Sequence, residues 1–319
     1  LKAAVDAARA WNWQGIEPVV AFDRACDVLT KTHADAWAAM LEGWGGPAPV
    51  IAGIHGQTVL HRAPVAGQIG ATRQILDARS LQAELGVQLA YDFRSDDVAA
   101  GGQGAPLAPA YHGALLRRLG GEPSVVLNLG GVANITAMGR DGGLVACDTG
   151  PANGPIDEWV EGVSGRTHDE GGRLAMAGHV HESLLMNWMD HPWFDQPPPK
   201  SLDRYDFSAQ LALGLSLEDG AATLTAFSAA ALAQALTLLD NVPHQVVACG
   251  GGRHNPALMA EIARRIACPL QTAEAVGWRG DSIEAEAFAL LAVRRLRGLP
   301  ISWPGTTGVP EPMTGGRLT

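Results

Sequence analysis

Lysine is scarce in this chain. Only Lys2, Lys31 and Lys200 occur in 319 residues, and none follows a glycine. A Walker A loop and a protein-kinase site both place a lysine on the nucleotide phosphates, which excludes the first and argues against the second. No Gly-x-Gly-x-x-Gly follows an apolar run, which removes the dinucleotide fingerprint, and no Gly-x-Ser-x-Gly elbow occurs. Basic residues never exceed two in a row and the net charge is -10. The electrostatic footprint of a nucleic-acid binder is therefore missing, and no such partner is expected. The four cysteines, Cys26, Cys147, Cys249 and Cys268, form no Cys-x-x-Cys pair, and no secretory leader pattern occurs. A reducing cytosol is the expected compartment. Cys147 and Cys249 adjoin candidate sites but have no evident partner base, so they read as small buried strand residues rather than nucleophiles.

Long apolar runs are also few. The uncharged stretch 220–239 is diluted by Thr223, Thr225, Ser228, Gln234 and Thr237. It reads as a buried core helix, and no membrane span is expected. His179-Val-His181 stands at a helix start and reads as solvated histidines rather than a metal pair. Gln196-Pro-Pro-Pro-Lys200 reads as a surface loop, and Arg279-Gly-Asp281 as chance.

Glycine, by contrast, is abundant, with 39 residues gathered at the ends of apolar runs. Asn128-Leu-Gly-Gly-Val-Ala-Asn134 follows Val125-Val-Leu127, and Cys249-Gly-Gly-Gly-Arg-His-Asn255 follows Val246-Val-Ala248. Asp148 follows Leu144-Val-Ala-Cys147 and precedes a turn rich in Gly and Pro. A strand end holds a carboxylate firmly while a glycine turn lets a ligand approach the backbone, so three such junctions suggest a phosphate or nucleotide site. An acidic chain that accepts a polyphosphate needs local cancellation by Mg²⁺, backbone amides or an arginine.

At 319 residues an α/β chain is expected to form two lobes. Periodicity predicts helix 23–41, strand 50–54 running into His55-Gly-Gln-Thr58, strand 73–76, helix 80–85 ending at Gly86, and strand 87–91. The loop Gly101-Gly-Gln-Gly-Ala-Pro106 is expected to open a helix reaching 119, with Pro106 in its first turn. After a link at 120–123, strands 124–129, 132–138 and 144–147 form an antiparallel meander. A helix from 155, a strand at 245–249, and helices 256–266 and 282–296 follow. The Pro-rich tail from 300 returns to the first lobe. The first lobe is thus 1–119 plus about 300–319, and the second 120–299.

Five strings occur in order: Ile54-His-Gly-Gln-Thr-Val59 with His61; Asp92-Phe-Arg-Ser-Asp-Asp97 with Gly101-Gly-Gln-Gly-Ala-Pro-Leu107; Leu127-Asn-Leu-Gly-Gly-Val-Ala-Asn134; Asp148-Thr-Gly-Pro151 with Asn153; and Gly280-Asp-Ser-Ile-Glu-Ala-Glu-Ala-Phe288. Together they resemble anhydro-N-acetylmuramic acid kinase over essentially the whole chain. The resemblance implies an α/β, two-lobed actin-like ATPase (ribonuclease H-like) fold with its ligand cleft between the lobes. It implies a kinase that uses ATP and Mg²⁺ to open 1,6-anhydro-N-acetylmuramic acid with water and phosphorylate O6.

On the same resemblance Asp148 is the catalytic base, against the plainer role of an N-capping Asp. Glu284 is a second acid near the water and sugar, although an acid in a first helical turn is also favoured by the helix dipole, and Glu286 is its nearest competitor. Thr58 and Arg94, with Gln57 and Asp96, are assigned to the sugar, a guanidinium suiting the lactyl carboxylate. The alternative for Arg94 is an ion pair with Asp96 or Asp97, and His55 and His61 read as packed histidines. The nucleotide is assigned to Asn128, Gly130, Gly131, Asn134, Gly250, Gly251, Gly252 and Asn255. A homodimer is usual among similar proteins.

The sequence departs from the family's pattern in three places. The family's first-lobe Gly-Thr-Ser-x-Asp-Gly phosphate loop has no counterpart in these residues. Ala152 stands where glycine is common, and Gln74-Ile-Leu-Asp77 matches Gln-Ile-Gly-Asp imperfectly. A non-catalytic sugar-binding relative and an actin-like or Hsp70-like ATPase are the competing readings.

Overall fold

The computed structural model describes residues 1–64, 68–120, 122–202 and 206–319. The chain runs through α1 (Lys2–Trp11), α2 (Val19–Glu42), β1 (Ile51–Ile54), β2 (Gln57–Arg62), β3 (Ala71–Ile75), α3 (Ala78–Leu85), β4 (Gln88–Tyr91), α4 (Ser95–Ala99) and α5 (Pro109–Arg117). Next come β5 (Ser124–Leu129), β6 (Val132–Met138), β7 (Leu144–Pro151), α6 (Asn153–Ser164), α7 (Arg173–Ala177), α8 (Glu182–Met189) and α9 (Leu217–Thr237). It closes with β8 (Gln245–Cys249), α10 (Pro256–Arg265), β9 (Leu270–Thr272), α11 (Ile283–Leu296), α12 (Pro304–Thr307) and β10 (Arg317–Leu318).

Two compact units form, Leu1–Tyr111 with Ala285–Thr319, and His112–Glu284. The sequence places these borders near 119 and 299, in Gly- and Pro-rich stretches. They fall instead inside α5 and α11, because burial rather than composition decides them. Leu107 and Ala110 at the start of α5 share one core with Ala90, Phe93, Leu291, Ala292 and Ile301, whereas His112 bonds Thr136 of β6. The expected link at 120–123 includes Gly121, which lies outside the described residues.

In the first unit β1 and β4 are parallel and β10 is antiparallel to β4, and β2 and β3 form a separate antiparallel pair. Asp77 caps α3 by accepting from the Ser80 amide, and Gly86 ends it at φ 68°. The tail returns to this unit, the Thr319 amide donating to Leu89 O at 3.1 Å. Residues 57–62 form β2, a strand that periodicity did not mark, and one expectation needs correction: α5 starts at Pro109, so Pro106 lies outside it. The intervening loop is tied elsewhere, Gln103 N donating to Thr307 O at 2.6 Å.

The second unit is built on one sheet in the order β7-β6-β5-β8-β9. The meander β5-β6-β7 is antiparallel, and β8 and β9 run parallel to β5 and to each other. Counted along the chain the order is third, second, first, fourth, fifth, with the second strand reversed, which is the ribonuclease H-like arrangement. Strand β7 continues past 147 to Pro151 because its ladder with β6 extends to Val132, and α6 accordingly begins at Asn153 rather than 155.

Helix α9 covers one face of the sheet. Its Ala229, Leu232 and Leu236 pack with Val125, Leu127, Ile135, Cys147, Val246 and Ala248. Its other side meets Trp159, Trp188, Phe194 and Phe207 through Leu224 and Phe227. Composition and length would let α9 cross a membrane, yet 78% of its apolar window is inside the protein. It is a core helix, and such a helix gains its stability from burial on all sides.

His112 is buried, with Nδ1 2.8 Å from Thr136 Oγ1, and burial pushes its pKa down from 6.5 to about 4. The unfolded chain therefore takes up a proton, as pH falls from 6.5 to 4, that the folded chain refuses. Stability is complete above pH 6.5 and declines below it, by about 3 kcal/mol from this group. Urea midpoints measured from pH 7 to 4 should show this loss, and His112→Gln should reduce it by a similar amount. Equal pH slopes in the two proteins would remove His112 as its source.

Candidate active site

Register sets the site in the second unit. Asp148 of β7 pairs with Asn134 of β6, Asn134 with Asn128 of β5, and Asn128 with Cys249 of β8. Residues opposite each other in register point to one face of a sheet. The residues one position earlier, Leu127, Cys147 and Ala248, face α9. Asp148, Asn134, Asn128 and Cys249 therefore form a row on the other face, spanning roughly 14 Å at the usual strand spacing. Cys249 Sγ lies 3.9 Å from Asn128 Oδ1.

Two glycine turns flank this row. At the β5–β6 turn, Asn153 N donates to Gly130 O, and Ala152 N and Gly154 N donate to Gly131 O, all at 3.0 Å. Asn153 Nδ2 also donates to Leu129 O at 3.2 Å. In a trans peptide the carbonyl and the following N–H point opposite ways, so the amides of Gly130, Gly131 and Val132 point away from the start of α6. At the end of β8, Gly250 has φ 75°, and a Cβ there would lie 2.5 Å from Asn128 Oδ1 and 2.7 Å from Leu129 O. Only glycine fits. Gly131 and Gly251 differ, since a Cβ at either would meet nothing within 4 Å. Gly252 packs against Leu129 and Asn153, and Asn255 caps α10 by accepting from the amides of Ala257 and Leu258.

Two clamps hold this arrangement, and neither is evident in the sequence. The Asp148 amide donates to Lys200 O at 2.9 Å, and Asp148 Oδ2 accepts from Leu202 N at 2.8 Å. Lys200 is buried rather than part of a surface loop. Its ammonium donates to Trp193 O and Phe194 O at 3.0 Å and lies 4.2 Å from the Trp193 ring. Burial pushes the Lys200 pKa down. Residues 200–202 are thereby pinned along β7.

The second clamp is Arg253, whose guanidinium is buried. It donates to Gly250 O at 2.8 Å and pairs with Glu274 and Asp281, each at 2.8 Å. Hydrogen bonds from Arg253 hold both carboxyls below their ordinary range. Through its pair with Arg253, Asp281 ties the Gly250 turn to the start of α11. Glu284 is exposed in the first turn of α11, near enough to the end of β8 for its charge to raise the Cys249 thiol. Burial is the larger cause and pushes both the Cys147 and Cys249 thiols up to about 12, so neither is a thiolate at neutral pH.

The residues assigned to the sugar lie in the first unit. Arg94 follows β4 and donates through Nε to His55 Nε2 at 2.7 Å and through Nη1 to Gly104 O at 2.6 Å. Buried Asp97 organises the loop instead, its carboxylate accepting from Gly104 N and Thr307 Oγ1. Asp96 is exposed in the first turn of α4. Thr58 lies on β2 opposite Gln74, whose Nε2 is 3.3 Å from Thr58 Oγ1, and Gln57 Nε2 donates to Thr58 O. Glu286 accepts from Tyr111 Oη, which gives it a structural partner that Glu284's exposed position does not require. His179 and His181 approach the Asp219 carboxylate at 3.7 and 3.6 Å. Among the described residues no group of three His, Cys, Asp or Glu could hold a metal ion.

The family model for anhydro-N-acetylmuramic acid kinase matches residues 16–319. The whole chain is 52% identical to the anhydro-N-acetylmuramic acid kinase of Rhizobium rhizogenes and 51% identical to that of Caulobacter vibrioides, covering 86% of each. This chain belongs to the anhydro-N-acetylmuramic acid kinase family. Among solved structures, a ROK family glucokinase from Streptomyces griseus in complex with glucose and AMPPNP aligns with 83% of the chain and 88% of its own length. At 16% identity and a TM-score of 0.39 that likeness is too loose to bear on the site.

Within the anhydro-N-acetylmuramic acid kinase family reading, the glycines separate into two classes. Gly250→Ala should destabilise the protein by about 2 kcal/mol or more, from backbone strain and the clash with Asn128. Gly131→Ala and Gly251→Ala should change stability by no more than about 0.5 kcal/mol. Urea melts of the three variants check this ranking, and a tolerated Gly250→Ala would refute the geometry at the end of β8.

Proposed function

We propose that this chain is an ATP-dependent kinase that opens 1,6-anhydro-N-acetylmuramic acid with water and phosphorylates O6, giving N-acetylmuramate 6-phosphate in cell-wall recycling. The observation that carries the reading is the row Asp148, Asn134, Asn128 beside two glycine turns, in a chain of this family. Gly131 and Gly251 have no packing reason to lack a side chain, which supports a ligand approaching the backbone there. The amides of Gly130 and Gly131 suit phosphate oxygens, and the Gly250-Gly-Gly252 turn suits the nucleoside. Mg²⁺ accompanies the nucleotide in this reading. Such an ion takes most of its ligands from phosphate and water, so it needs no dedicated acidic cluster.

Asp148 is the general base. It takes a proton from a water whose oxygen bonds to the anomeric carbon, while the bond from that carbon to O6 breaks. O6 then bonds to the γ-phosphorus as ADP leaves. Leu202 N holds one oxygen of Asp148, which orients the carboxylate before the water arrives. Glu284 helps hold the water and sugar. Thr58, Gln57, Arg94 and Asp96 bind the sugar, with Arg94 facing the lactyl carboxylate.

The test is ADP release with Mg-ATP, with and without the anhydro sugar. Turnover should require the sugar, and ADP release indifferent to it would favour a simple ATPase. Asp148→Asn should lower kcat about 10³-fold while leaving the sugar dissociation constant within a few fold. A variant turning over near the parent rate rules Asp148 out as the base. Gly251→Ala should raise KM for ATP more than KM for the sugar.

A further inference from the structure

Ile54 at the end of β1 pairs with Tyr91 at the end of β4, and the two strands are parallel. His55 and the Asp92-Phe-Arg94 segment therefore leave the sheet side by side. His55 Nδ1 lies 2.8 Å from Gly56 O, a carbonyl that can only accept, so Nδ1 carries the hydrogen. Nε2 lies 2.7 Å from Arg94 Nε, a guanidinium nitrogen that can only donate, so Nε2 presents its lone pair. These two partners select one neutral tautomer. The Phe288 ring meets the imidazole edge to face at 5.1 Å and also touches Phe93 at 5.6 Å, which holds the ring plane.

The second contact of the guanidinium is equally constrained. Arg94 Nη1 donates to Gly104 O at 2.6 Å, and Gly104 N donates to Asp97 Oδ1 at 2.7 Å. Gly104 has φ 71°, and a Cβ there would lie 2.5 Å from Val98, so the loop has little room to shift. A planar group held at two of its nitrogens has a set orientation.

We infer that His55 is a positioning residue that aims the Arg94 guanidinium at the substrate carboxylate and so sets the preference for acidic anhydro sugars. The inference rests on the reading of Arg94 given above. His55 supplies a neutral acceptor in a fixed plane. Loss of that acceptor leaves Arg94 charged but misaligned, and a charge-assisted hydrogen bond out of line loses most of its advantage.

The experiment is calorimetric binding of 1,6-anhydro-N-acetylmuramic acid and of 1,6-anhydro-N-acetylglucosamine, the same ring without the lactyl carboxylate. Four proteins are compared: the parent, Arg94→Gln, His55→Phe and His55→Gln. The parent should prefer the acid sugar, and Arg94→Gln should abolish that preference. His55→Phe should weaken the acid sugar about tenfold or more and leave the neutral sugar unchanged, and His55→Gln should restore most of the loss through its amide oxygen. Equal weakening of both sugars by His55→Phe, or no weakening of either, overturns the inference while the Arg94 reading stands. Preference retained in Arg94→Gln overturns the Arg94 reading and the inference with it. Imidazole ¹⁵N shifts of the parent give an independent check that needs no variant. His55 should be neutral and protonated at Nδ1 at pH 7, and the Nε2-protonated form overturns the inference.

Discussion

The register of β5 between β6 and β8 is the constraint on which the second unit depends. Alternation along β5 sends Val125, Leu127 and Leu129 into the core against α9 and leaves Asn128 on the opposite face. A slip by one residue would bring Asn128 into that core and expose Leu127 and Leu129. Burying an unpaired amide costs several kcal/mol in addition to the lost apolar burial. The hydrophobic pattern thus holds the polar row in place, although Asp148, Asn134 and Asn128 are not part of the core. Asp148 inherits its position from Leu127 and Cys147 as much as from its own contacts.

Local clamps then refine what register sets. Lys200 works through the backbone it anchors, because its buried ammonium holds two carbonyls and brings Leu202 N to Asp148. Arg253 performs a similar task at β8, joining the Gly250 carbonyl to Glu274 and Asp281. A buried cation whose partners were removed would be strongly destabilising. Each clamp therefore makes the turn it holds rigid, and a rigid turn suits a ligand that must be placed to within a fraction of an ångström.

In the first unit the polar contacts follow another logic. Asp97 accepts from Gly104 N and Thr307 Oγ1, and Arg94 meets a neutral imidazole and a carbonyl. The acidic side chain builds the loop, while the cation donates to the imidazole and the carbonyl. In a chain of net charge -10 such a local cation matters for any anionic ligand.

Patterns of short range determined much of this protein from sequence alone. Short apolar runs marked β5, β6 and β8, Gly86 marked the end of α3, and the diluted apolar stretch marked α9, because these depend on neighbouring residues and on backbone sterics. The family was legible in the order of five strings. Only the tertiary structure decided which polar residues meet. Lys200 looked like the end of a proline loop and His55 like packing, because the burial of the one and the Arg94 contact of the other are set by the fold. The unit borders escaped composition for the same reason: Ala110 and His112 are two residues apart, yet the apolar side chains of one unit claim the first and Thr136 of the other claims the second. Burial and hydrogen-bond pairing are properties of the folded arrangement, and no local pattern encodes them.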